Sequence, residues 1–141
     1  LVARINHTFT YDNNSSTDGV VELNKNDFDV SVATGTNIYG TGNRYYIERH
    51  DGASPTLDLV EGETYIFRQD DNSNATHQLL FSTTPNGTWG GGVEYTTGVA
   101  KEGTAGSPGS YTQITIAANA PVLYYYCINH SGMGGQVNTI T

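Results

Sequence analysis

The chain is 141 residues long and carries 14 Asp and Glu against only 6 Lys and Arg, for a formal net charge of −8. So few cations leave no basic stripe to neutralise phosphates, which argues against nucleic acid as a partner and makes an anionic bilayer repulsive. No run approaches the roughly 18 apolar residues of a membrane helix, so no membrane insertion is expected, and a single cysteine excludes an internal disulfide.

The length fits one domain. Abundant Gly, Thr, Asn and Tyr, with only 14% charged residues, is an all-β composition. The chain begins with Leu1 rather than Met, so it is expected to be processed or a piece of a longer protein. In chain order, alternation over 2–11 and 19–23, with a turn at Asp18-Gly19, marks a front segment, residues 1–26. Its only imidazole is His7, and it holds no thiolate or thioether. It reads as an N-terminal extension, an added hairpin that covers a sheet edge or pairs with a neighbour. Residues 27–141 form the main domain, with strands predicted over 28–33, 44–48, 56–60, 63–68, 77–81, 111–117, 122–127 and 136–140. Phe28, Val30 and Val32 share one face of the first of these. Asp51-Gly52, Glu61-Gly62 and Asn86-Gly87 mark turns. Residues 83–110 break the rhythm. This Gly- and Thr-rich excursion holds the only tryptophan, Trp89, which is either a ligand contact or a loop anchor, and a short strand is predicted near 93–99.

The chemistry concentrates at Cys127-Ile128-Asn129-His130-Ser131-Gly132-Met133, where a thiolate, an imidazole and a thioether fall within seven residues. Two His, one Cys and a distant Met form the ligand set of an electron-transfer copper site. His77, at the head of the apolar run His77-Gln78-Leu79-Leu80-Phe81, supplies the second imidazole. Zinc is a possible substitute in the same pocket. The bland alternative is a buried thiol with a chance imidazole nearby. Alternation puts Cys127, Tyr125 and Leu123 on one strand face and Tyr126, Tyr124 and Val122 on the other, so that an inward Cys127 sends Tyr126 outward as a surface contact. Asp70, Asp71, Asn72 and Asn74 carry oxygen donors but lack the spacing of a calcium loop, and read as a solvated turn. His7 and His50 read as surface residues. No nucleophile elbow, phosphate loop or His-x-His pair is present, so an independent enzyme is not expected.

Pro55-Thr-Leu-Asp-Leu-Val-Glu-Gly-Glu-Thr-Tyr-Ile-Phe67, then His77 with its apolar strand, then Tyr-Tyr-Tyr-Cys127-x-x-His130-x-x-Met133-x-Gly-x-Val137, resembles the cupredoxins over residues 27–141. The close Cys-x-x-His-x-x-Met spacing is similar to amicyanin and the glycine-rich surroundings to plastocyanin. The resemblance implies an antiparallel Greek-key β-sandwich that holds one type 1 copper ion through His77, Cys127, His130 and axial Met133. It also implies electron transfer with a redox partner. One departure stands out: many cupredoxins follow the first histidine with an asparagine that ties the ligand loops together, and this chain has Gln78. Gln78 and Tyr126 are therefore the expected supporting contacts.

A narrower resemblance, over about residues 55–140 and carried by Pro55-Thr-Leu-x-Leu-x-Glu-Gly-x-Thr-Tyr65, Phe81-Ser-Thr-Thr, Glu94-Tyr-Thr-Thr-Gly-Val, Ser110-Tyr-Thr-Gln-Ile-Thr and Leu123-Tyr-Tyr-Tyr-Cys-x-Asn-His-Ser-Gly-Met-Gly-Gly, is to modules of large surface and structural proteins of marine bacteriophages and marine bacteria. It implies a virion or extracellular setting with capsid or tail proteins as partners. Two functions follow: a copper-binding or electron-transfer module, or a structural or decoration protein that uses the sandwich for docking, with metal incidental or absent.

Overall fold

The computed structural model describes residues 25–141, nine strands joined by turns, two short 3-10 segments and irregular connections. The readings made for residues 1–24, including the hairpin and His7, lie outside the described residues. The strands are β1 (Asp27–Asn37), β2 (Gly40–Ile47), β3 (Leu57–Val60), β4 (Thr64–Arg68), β5 (Leu79–Ser82), β6 (Val99–Glu102), β7 (Tyr111–Thr115), β8 (Leu123–Cys127) and β9 (Gln136–Ile140). They form two sheets, ordered β2-β1-β4-β7-β6 and β3-β9-β8-β5.

Period-two alternation explains the core. Phe28, Val30, Tyr45, Ile47, Tyr65, Phe67 and Ile114 point inward from the first sheet; Leu57, Leu59, Leu79, Phe81, Leu123, Tyr125, Cys127 and Val137 answer from the second. The edge contact of Phe67 with Phe81, ring centroids 5.8 Å apart, links the two layers.

The sandwich is mixed rather than purely antiparallel. Five of the seven pairings among the described residues are antiparallel, but β1 runs parallel to β4 (Phe28 opposite Phe67) and β3 parallel to β9 (Leu57 opposite Val137). The chain crosses between sheets at each of the links β2 to β3, β3 to β4 and β4 to β5, so spatial neighbours are not always joined by hairpins.

Two stretches depart from the sequence reading. The β1–β2 hairpin continues past the expected strand ends until Asn37 pairs with Gly40, leaving Ile38 and Tyr39 at its exposed tip. Residues 93–98 are not a strand. They follow β5 by single hydrogen bonds, Tyr95 N to Phe81 O and Ser82 Oγ to Val93 O. The chain then turns at Gly98 (φ +71°), where a Cβ would lie 2.4 Å from Thr115 O, and only then enters β6.

Candidate metal centre

His77 lies just before β5, Cys127 ends β8, and His130 and Met133 sit on the loop to β9. Because β5 pairs with β8, Leu79 opposite Cys127, the first histidine is delivered beside the cysteine although fifty positions separate them in sequence. Cys127 Sγ lies 3.6 Å from His77 Nδ1 and 3.6 Å from His130 Nδ1. The donor atoms of all three residues lie within 4.8 Å of one another. A metal bonding sulfur at about 2.3 Å and nitrogen at about 2.0 Å, with angles between tetrahedral and trigonal, sets sulfur and nitrogen roughly 3.5–3.7 Å apart. Both sulfur–nitrogen spacings therefore already match those about a shared ion. Met133 is buried in the same core cluster as Cys127. His77 and Cys127 are buried, and His130 is exposed at the mouth of the site.

The backbone around these donors is held by side chains from elsewhere in the fold. The Tyr45 hydroxyl donates to His77 O at 2.6 Å, and Gln69 Nε2 donates to the same carbonyl at 2.7 Å. The Trp89 indole donates to Cys127 O at 2.9 Å. Asn129 Nδ2 donates to Thr76 O at 2.9 Å, tying the two ligand segments directly. Ser54 Oγ and the Tyr45 backbone amide both donate to Met133 O. Asn86 accepts from Gly132 N and donates to Ser131 Oγ. Thr76, immediately before His77, has φ +68°. That conformation is strained for a β-branched residue and persists only where surrounding contacts over-determine it.

The expected supporting residues take other roles. The Gln78 side chain does not bridge the ligand loops: its Nε2 donates to Thr112 Oγ1 and Gln69 Oε1, while its backbone carbonyl accepts from Ile128 N at 3.1 Å. The bridging task falls to Asn129. Tyr126 is on the face opposite Cys127, as alternation requires, but it is 1% exposed and is not a surface contact. The 83–92 excursion covers it; a Cβ on Gly87 would fall 2.3 Å from its ring, so only glycine allows the chain to pass that closely. Trp89 is the anchor of this excursion. Asp71 caps the short 3-10 turn Asn72–Asn74, accepting from Ser73 N. Its neighbour Asn74 is buried.

Gln69 is the buried hub behind His77. It donates to His77 O and to Asn74 Oδ1, while its Oε1 accepts from Leu79 N and Gln78 Nε2. Gln69→Leu keeps the approximate volume but strands the buried Leu79 amide and Asn74 carbonyl. At about 1–3 kcal/mol for each unsatisfied group, a loss of roughly 3 kcal/mol is expected, measured by denaturant unfolding of the metal-free protein.

Burial, and next the facing imidazole of His130, hold the His77 pKa below its ordinary value. The unfolded chain therefore binds a proton at His77 that the folded chain resists. This contribution favours the fold above about pH 6.5 and is lost as pH falls from there through the depressed folded value. Melting temperatures of the metal-free protein should drop over that window, and His77→Asn should flatten the drop. Protons also compete with metal for the same nitrogen, so metal affinity should fall in parallel.

No protein-family model, curated protein or solved structure matches the chain. The fold and site define a small all-β sandwich whose His77, Cys127 and His130, with Met133 nearby in the core, are able to bind a metal ion, an arrangement compatible with the cupredoxin fold.

Proposed function

We propose that this chain is a cupredoxin-like module in which His77, Cys127 and His130, with Met133 nearby as a weaker fourth donor, would hold one copper ion. The observation that carries the reading is the pair of 3.6 Å distances from Cys127 Sγ to two imidazole nitrogens. A soft thiolate and thioether beside two imidazoles favour copper over zinc. Four protein donors leave no open position for a substrate, so the site suits electron transfer rather than catalysis. When bound, the ion supplies a one-electron redox couple. The chain's own residues fix the donors: Tyr45 and Gln69 at His77, Trp89 at Cys127, Ser54 at Met133. Rigid donors reduce rearrangement between oxidation states.

A structural role for the metal is the second reading. It is favoured by the placement of the donors on separate segments, one before β5 and the others at and beyond the end of β8, which a bound ion would staple together. We place the module in an extracellular or virion surface assembly with protein partners, on the strength of the narrower sequence resemblance.

The test is a Cu²⁺ titration of purified protein. One equivalent should produce intense absorption near roughly 600 nm, the thiolate-to-copper charge transfer of this ligand set. A reversible, fast redox couple supports transport, whereas a large rise in melting temperature with slow redox exchange supports the staple. Protein that stays colourless and takes up no copper overturns the reading.

A further inference from the structure

Arg44 lies on the face of β2 opposite the core residues Tyr45 and Ile47, yet it is only 5% exposed. Its Nη1 and Nη2 donate to the carbonyls of Asn43 and Gly40 at 2.8 and 2.9 Å. Its buried Nε has no hydrogen-bond partner. Among the described residues no carboxylate pairs with it, although Arg49, Arg68 and Lys101 each have one. A guanidinium is a fixed cation, and taking an unpaired charge out of water is costly. Such a group calls for a reason to be kept.

The structure puts that charge against the ligand loop. Gly132, between His130 and Met133, is flanked by Arg44 and Tyr39: a Cβ there would lie 3.5 Å from Arg44 Nη1 and 3.1 Å from Tyr39 Cβ. The next residue along β2, Tyr45, donates its amide to Met133 O and its hydroxyl to His77 O. The strand that carries the guanidinium is thus the strand that clamps two of the four donors.

Resting on the copper reading above, we propose that Arg44 raises the reduction potential of the bound copper by holding an uncompensated positive charge beside the loop from Cys127 to Met133. With one thiolate and two neutral imidazoles, the Cu(II) site carries one net positive charge. Accepting one electron from an outer-sphere reductant such as ferrocyanide makes it neutral, and no bond forms or breaks. A fixed cation nearby destabilises the oxidised site and leaves the reduced one almost unaffected. Burial of the guanidinium limits screening by solvent and salt.

The test compares the wild type with Arg44→Lys, which keeps the charge, and with Arg44→Gln and Arg44→Met, which remove it. Each is loaded with copper and titrated against the ferricyanide/ferrocyanide couple, with the visible spectrum as a check on ligand geometry and melting of the metal-free forms as a check on folding. The neutral variants should lose at least tenfold in preference for Cu(I) over Cu(II), about 59 mV for a one-electron couple, with the band unmoved and Arg44→Lys close to wild type. Equal potentials in wild type and whichever neutral variant folds overturn the proposal and leave Arg44 a clamp for the hairpin carbonyls. If neither neutral variant folds, a lysine variant that folds, with its band unmoved, but loses the wild-type potential overturns it equally, and one that keeps the potential supports it. Wild-type protein that takes up no copper fails the copper reading itself, before any variant is compared.

Discussion

Cys127→Ser will remove the visible band and lower copper affinity by more than about 100-fold, exceeding the loss typical when only an outer contact of a metal ligand is deleted. The serine hydroxyl does not ionise near neutral pH, is hard where the thiolate is soft, and offers no sulfur electrons for charge transfer to Cu²⁺. Cys127 is fully buried and its backbone carbonyl, bonded to Trp89, is untouched by the change. The fold should therefore persist, and the metal-free variant should melt near the wild type. The difference appears on adding copper: at a concentration 1,000 times the dissociation constant the wild type gains about 4.1 kcal/mol of stability, and the variant gains little of it. Visible absorption and calorimetry with and without copper read both effects. A serine variant that keeps colour and uptake would remove Cys127 from the site.

Much of this centre is legible in the chain because its donors are local. Cys127, His130 and Met133 fall within seven residues, at the end of β8 and on the loop after it, and His77 heads an apolar run that a neighbouring strand brings alongside. What holds the donors is not local. Tyr45 reaches His77 across 32 positions, Trp89 reaches Cys127 across 38, and Asn129 reaches Thr76 across 53. Nothing in the spacing of these residues marks them; the pairing of β5 with β8 and the path of the excursion bring them together. Tyr126 shows the same limit from the other side. Alternation reports which face of a strand a side chain takes and is silent on what covers that face. Here the cover is the glycine-rich segment whose length signalled a task, and it packs on the Tyr126 ring through the close approach of Gly87. The parallel pairings β1 with β4 and β3 with β9 were hidden for a related reason, since alternation is identical in parallel and antiparallel strands exposed on one side.

Gly134→Ala will cost about 3 kcal/mol or more, at or beyond the upper end of ordinary overpacking, and will disturb the site as well as the fold. A Cβ on Gly134 would lie 1.8 Å from Tyr125 O and 2.6 Å from Tyr125 C, and neither is the free end of a side chain that can swing away. The clash falls at the seam where Tyr125 N bonds Gly135 O at 2.9 Å, so relief requires β8 and the β9 approach to part. Met133 precedes Gly134, and its carbonyl is held by Tyr45 and Ser54; any parting drags Met133 against those bonds. Gly109→Ala separates this steric effect from a dihedral one. Gly109 has φ +83° but open space around it, so alanine there pays only the left-handed backbone penalty, about 1–2 kcal/mol. Denaturant unfolding of both metal-free variants should show the larger loss at Gly134, and copper added to the Gly134 variant should yield a shifted or weakened band while the Gly109 variant keeps the wild-type spectrum. Equal losses, or an unchanged spectrum in the Gly134 variant, would mean that the loop after Met133 gives way more easily than its contacts with Tyr125 allow.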